Sequence, residues 1–184
     1  MMLTKLKQWL NEEKKDKTIF DIVVYGSSVK GKTKPNDIDV VVIFKEGSLK
    51  ERLMKIQAIK KKIEIPVDIK GILWEELFRP EFFARAGILL EGFSIFENKL
   101  FSSKLGFEGC TLFTYSLQNK SHTEKIKFNY VLRGRNREGI IKKLEGYHKG
   151  PGVILIPIKN SVEFEDVLKM HAVEYSKKNV LMES

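Results

Sequence analysis

Three carboxylates carry the most informative chemistry in the sequence. Asp37 and Asp39 flank Ile38 at the start of the apolar run Ile38–Phe44, a β-branched and aromatic stretch that reads as a buried strand. Alternate residues of a strand share a face, so both carboxylates project together while Ile38 and Val40 turn into the core. Like charges placed side by side repel. A divalent cation explains the pair better than hydration does, because the pair adjoins a Gly-Ser turn. Asp68, between Val67 and Ile69, puts an acid into a third apolar run. If that strand lies beside the second, Asp68 completes a cluster able to hold two magnesium ions about 3.5–4 Å apart, a geometry suited to in-line phosphoryl or nucleotidyl displacement.

The segment before these acids admits a second reading. Gly26-Ser27-Ser28-Val29-Lys30-Gly31-Lys32-Thr33 fits G-x-x-x-x-G-K-[ST], the phosphate loop of ATPases, and it follows a buried strand. That loop needs a long helix beginning at its Lys-Thr pair, whose N-terminus faces the anion. Pro35 and Asn36 follow at once, and only a turn fits before Ile38. The motif matches while its structural context does not.

These residues need a scaffold. Residues 3–14 read as an amphipathic helix with Leu3, Leu6, Trp9 and Leu10 on one face. Ile19–Tyr25 and Ile38–Phe44 read as buried strands, and residues 63–69 as a third, which Pro66 confines to an edge or a bulge. Residues 48–62 read as a helix capped by Ser48, with Leu49, Leu53, Ile56 and Ile59 inward. Residues 74–78 and 81–90 look helical, and 93–96 a short strand. The polar stretch FENKLFSSKLG suggests a boundary near residue 100, dividing the chain into 1–100 and 101–184.

In the second part, a strand is expected at 111–117. Ser121-His122-Thr123-Glu124 is a capping-box pattern and favours a helix over 122–133, although Ile126, Phe128, Tyr130 and Leu132 also alternate as a strand would. Residues 139–147 are expected to be helical and to end at Gly150-Pro151-Gly152. A strand at 153–158, a helix at 162–170 and a strand within 172–181 complete a small α/β unit.

A strand, Gly26-Ser27, a short turn, Asp37-Ile38-Asp39 and a later Val67-Asp68-Ile69 together resemble the DNA polymerase β-type nucleotidyltransferase superfamily, and its minimal archaeal and bacterial members most closely. The likeness covers residues 15–97. It implies an α/β (α+β) fold, with a small mixed sheet and flanking helices, followed here by the smaller C-terminal domain. It also implies transfer of a nucleoside monophosphate from an NTP to an acceptor hydroxyl, with two Mg2+ ions. By the same resemblance Gly26 and Ser27 bind the triphosphate, at a helix start whose dipole favours anions. Asp37 and Asp39 ligate both metals, and Asp68 binds the catalytic metal and helps activate the acceptor hydroxyl. Lys30 stands where minimal members often carry Arg, and Asn36 replaces a frequent Ser.

Composition narrows the remaining classes. The chain has 184 residues, 42% of them apolar, enough for a core. One cysteine, Cys110, excludes a disulfide framework and a cysteine-based zinc site. The three histidines show no metal-ligand spacing and read as surface or packing residues; Trp9 and Trp74 read as packing anchors. No apolar run approaches the roughly 20 residues of a membrane span. The N-terminal residues are too interrupted for a signal peptide, so a cytoplasmic protein with no membrane partner is expected.

Of the net charge of +9, residues 120–149 carry +6, from nine basic and three acidic residues. Arg133, Arg135 and Arg137 suit phosphate oxygens, and Phe128, Tyr130 and Tyr147 could stack on bases, or the rings could be core and the charges a solvated face. A nucleic-acid acceptor, RNA above all, is therefore the leading expectation. A protein acceptor is next and a small molecule third. A non-catalytic nucleic-acid-binding protein and a phosphate-loop NTPase are the rival classes.

Overall fold

The computed structural model describes residues 2–26 and 38–183, the side chains of residues 2–4 excepted. Two compact units divide at Gly106. The expected boundary near 100 falls six residues later because Phe101 is fully buried in the first unit's core.

The first unit holds a five-stranded mixed sheet. Strands β1 (Ile19–Tyr25), β2 (Ile38–Phe44), β3 (Val67–Leu73), β4 (Phe93–Ser94) and β5 (Lys99–Leu100) lie in the order β3-β2-β1-β4-β5. β2 and β3 are parallel and the other neighbours antiparallel. Both faces are covered, which is why β1 and β2 are near-continuous apolar runs. Ile22 and Val24 of β1, with Val40 and Val42 of β2, pack under helices α1 (Met2–Asn11) and α2 (Leu49–Lys61). Val23, Val41 and Ile43 pack on the opposite side with Ile88 of α3 (Arg85–Glu91), Phe101 of α4 (Phe101–Lys104) and Leu77 of a 3-10 turn. Asp21, fully buried on β1, accepts hydrogen bonds from Ser94 Oγ and Lys104 Nζ, each 2.7 Å long, and so ties α4 to that face. Paired and hydrogen-bonded, a buried carboxylate is tolerated.

Several expectations need correction. α2 has the Ser48 capping box with Glu51, and Ile56 and Ile59 face inward, but Leu49 and Leu53 are exposed. The buried stripe runs instead through Arg52, whose guanidinium donates to Glu76 at 2.8 Å. β3 begins at Val67 rather than residue 63 and continues to Leu73. It lies at the sheet edge, and Pro66 just precedes it, where no ladder donor is lost. Gly71 permits the close approach of α2, since a Cβ there would lie 2.2 Å from Ile56 Cδ1.

The second unit has a four-stranded antiparallel sheet in the order β7-β8-β6-β9, from β6 (Phe107–Ser116), β7 (Tyr147–Gly150), β8 (Val153–Pro157) and β9 (Glu174–Glu183). Helices α5 (His122–Arg133), α6 (Ile140–Lys143) and α7 (Ser161–Met170) accompany it; Phe113, Ile154 and Ile156 of the sheet bury Phe128, Leu132, Ile141, Phe164 and Leu168. α5 follows its capping box, so the helical reading of 122–133 holds. The helix expected over 139–147 stops at Lys143, and β7 follows. Gly150-Pro151-Gly152 turns a hairpin into β8 rather than ending a helix.

Glu165 of α7 fastens that helix to β9. Its carboxylate pairs with Lys177, accepts from Tyr175 Oη at 2.6 Å and pairs with Lys169 at 3.1 Å. These donors hold its carboxyl at about 2. The folded value lies below the ordinary 4.5, so the stabilisation is complete above that pH and is lost as the pH falls towards 2. Glu165→Gln is therefore expected to lower the unfolding temperature at pH 7, and the gap to the parent should shrink below pH 4.5. Scanning calorimetry across pH checks this. No described helix is long and apolar enough to cross a membrane.

Candidate active site

One end of the first sheet gathers the polar residues. Tyr25 closes β1, and Asp39 and Asp68 are the second residues of β2 and β3. Tyr25 is the register partner of Asp39, and Asp39 the partner of Asp68. Register partners point the same way, and adjacent strands lie about 4.8 Å apart, so the three side chains form a row across the sheet. The row lies on the face that carries Val23, Val41 and Ile43. Ile38, Val40, Val67 and Ile69 point to the other face, as the alternation predicts.

The row is graded in exposure. Tyr25 is buried, Asp39 half-buried, and the Asp68 side chain is 52% exposed with Lys70 Nζ 3.7 Å from it. The Tyr25 hydroxyl is pushed up to about 12, first by burial and then by the negative charges of Asp39 and Asp68. Both carboxylates therefore act on one buried group. Tyr25 is the member of the row that sequence reasoning missed. The available signal was its parity, an even number of residues from Val23 and at the strand end that meets Asp39.

Gly26 follows Tyr25 with φ +78°, a left-handed backbone that favours glycine. A Cβ at this position would lie 2.3 Å from Asp39 Oδ2. The absence of a side chain at residue 26 is what leaves space for the Asp39 carboxylate. Ser27, Lys30 and Asp37, and the rest of the Gly-Ser turn with its expected helix start, lie outside the described residues.

The antiparallel pairing of β1 with β2 bears on the phosphate-loop motif. A phosphate loop joins a strand to a helix that crosses over to a parallel strand. Here the strand before the motif pairs antiparallel with the strand after it. The nucleotidyltransferase domain family matches residues 3–91. These residues form a nucleotidyltransferase domain of the polymerase β-like superfamily.

The domain has the mixed sheet and flanking helices expected of it, and the match begins before and ends close to the 15–97 anticipated from the motifs. No curated protein matches the chain. Among the described residues of the whole chain, no three of His, Cys, Asp and Glu gather as a metal-binding group. The nucleotidyltransferase domain does present two register-paired carboxylates with hard oxygen donors, and a glycine that leaves room for that of Asp39. That donor set fits a divalent cation such as magnesium.

The second unit lies outside the family match. Within it, the three arginines part company. Arg133 ends α5, while Arg135 and Arg137 lie on the loop to α6, and all three are exposed. Phe128 is a core residue, which is the second of the two readings its sequence allowed. Tyr130 and Tyr147 are exposed beside Arg135 and Lys149, with the cations 5.1 and 5.8 Å from the ring centroids. Trp9 and Trp74 pack against the two cores of the first unit. His171 packs against the Phe128 ring.

Proposed function

We propose that this chain transfers a nucleoside monophosphate from an NTP to a hydroxyl of RNA, with two magnesium ions and release of pyrophosphate. The observation that carries the reading is the register pairing of Asp39 with Asp68 beside Gly26, inside a nucleotidyltransferase domain.

Asp39 and Asp68, with Asp37, would hold the ions. When bound, the ions supply charge neutralisation for the triphosphate and lower the pKa of the acceptor hydroxyl. The acceptor oxygen forms a bond to the α-phosphorus as the bond from that phosphorus to the bridging oxygen of the β-phosphate breaks. Pyrophosphate leaves with the electron pair. Asp68, the more exposed acid, would take the hydroxyl proton at a carboxylate oxygen. Tyr25 closes the buried side of the row, leaving Asp68 towards solvent, from which the acceptor must enter. Gly26, Ser27 and Lys30 position the triphosphate.

RNA is favoured as acceptor by the charge of residues 120–149. Their acids Glu124, Glu138 and Glu145 pair with Lys120, Lys142 and Lys159, and among the described residues none of the three arginines has a carboxylate partner. Incubation with each α-labelled NTP, magnesium and separated RNA and protein fractions tests the assignment. Label is expected in the RNA fraction, sensitive to ribonuclease. Label confined to the protein fraction would replace RNA with a protein hydroxyl.

A further inference from the structure

The second unit has a groove of about 620 Å3 where the end of β6 meets α5 and the β7–β8 hairpin. Tyr115, Asn129, Arg133 and His148 line it together with the Gly150–Gly152 turn, and among the described residues no carboxylate does. Arg133 and His148 also line an adjoining hollow of about 340 Å3. Arg133 Nη2 lies 3.5 Å from His148 Nε2. Burial pushes the Tyr115 hydroxyl up while the Arg133 charge pulls it back, so the guanidinium acts on both sides of the groove. Asn129 stands one helical turn before Arg133.

The walls are fixed by backbone packing. Tyr115 N donates to Gly152 O at 2.8 Å, and a Cβ on Gly152 would lie 2.6 Å from Tyr115 O. A Cβ on Gly139 would lie 2.3 Å from Leu132 O, which holds the loop after Arg133 tight against α5. Donors that converge in a groove without acids select an anion, and a guanidinium fork suits phosphate oxygens.

The neighbouring surface narrows the anion. Ile126, Tyr130 and Arg133 form an exposed stripe on α5, opposite the buried Phe128 and Leu132. Tyr130 is 44% exposed, with the Arg135 guanidinium over one face of its ring, 5.1 Å from the centroid. An aromatic platform next to a phosphate-binding groove suits a strand whose bases are free to stack.

We propose that this face binds single-stranded nucleic acid, a backbone phosphate on Arg133 and His148 and an unpaired base on Tyr130 beside Arg135. RNA as the natural ligand rests on the acceptor reading above, but binding itself requires no transfer. The test is fluorescence anisotropy of the full chain with a labelled single-stranded RNA 12-mer, without NTP, at two salt concentrations and against the same sequence as a duplex. The single strand should bind more tightly than the duplex and more weakly at the higher salt. Arg133→Ala should weaken binding about tenfold or more, and Tyr130→Ala by a similar factor. Arg133→Lys, which keeps the charge and loses the fork, should fall between, and Tyr130→Phe should bind as the parent does. Parental affinity in both alanine variants would overturn the proposal, as would a duplex bound as tightly as the single strand or no binding by the parent at low salt. Pyrophosphate release separates the two readings. RNA binding without transfer defeats only the proposed function, and transfer to a protein without RNA binding defeats this site.

Discussion

Asp39→Ala should reduce nucleotidyl transfer by about 10³-fold or more, because several kcal/mol of transition-state charge stabilisation go with a lost metal ligand. The fold should survive. Asp39 is half-buried at a strand end, and its register partner Asp68 is another acid. Removing one of two facing carboxylates relieves repulsion, so the unfolding temperature without divalent cation should stay or rise. With magnesium the parent should gain stability by mass action, and the variant should gain much less. Thermal melts with and without magnesium, beside an activity assay, read both effects. Asp68→Ala should behave alike, with a smaller stability change because Asp68 is more exposed and has Lys70 beside it. A variant that lost stability and activity together would make the pair a structural feature and not a metal centre.

Gly26→Ala should be nearly as damaging, for a different reason. The added Cβ would lie 2.3 Å from Asp39 Oδ2, so the carboxylate must swing away from its place in the row. The φ of +78° adds a backbone cost of about 1–2 kcal/mol for a residue with a Cβ. Transfer should fall at least about 100-fold, the range expected when a charge-stabilising group is displaced. Unlike Asp39→Ala, this variant should also unfold at a lower temperature. Titration with manganese, followed by its electron spin resonance signal, separates the effects: the weakened site should bind less manganese even where the chain remains folded. Unchanged transfer in Gly26→Ala would mean that the Asp39 carboxylate can work from elsewhere.

The centre of this domain was legible because β1 and β2 are buried on both faces. Such strands show in the sequence as unbroken apolar runs, and their observed limits match the expected ones. An acid interrupting such a run is conspicuous, as Asp39 is in β2, and Asp68 stands out between Val67 and Ile69 at the start of the edge strand. Edge and surface elements left weaker traces. β3 was placed four residues early because Ile63 and Ile65 look strand-like, while Lys70 and Gly71 inside the real strand do not. β7 was missed because Tyr-His-Lys-Gly is exposed and carries no hydrophobic alternation. Leu49 and Leu53 misled because α2 turns Arg52 inward, where Glu76 of the 3-10 turn meets its charge. A contact made across 24 residues has no signature in a helical periodicity. The groove around Arg133, at the end of α5, depends on His148 coming from the strand β7, and nothing in their spacing pairs the two.

The most direct measurement follows the two ends of one nucleotide. The protein is incubated with magnesium, RNA and either α-labelled or γ-labelled ATP, and the products are separated. The α-label should pass to the acceptor and the γ-label should appear in pyrophosphate. Both should vanish in Asp39→Ala and persist in Lys32→Ala. Release of the γ-label as inorganic phosphate, with ADP carrying the α-label and turnover lost in Lys32→Ala, would contradict nucleotidyl transfer and restore the phosphate-loop reading of residues 26–33.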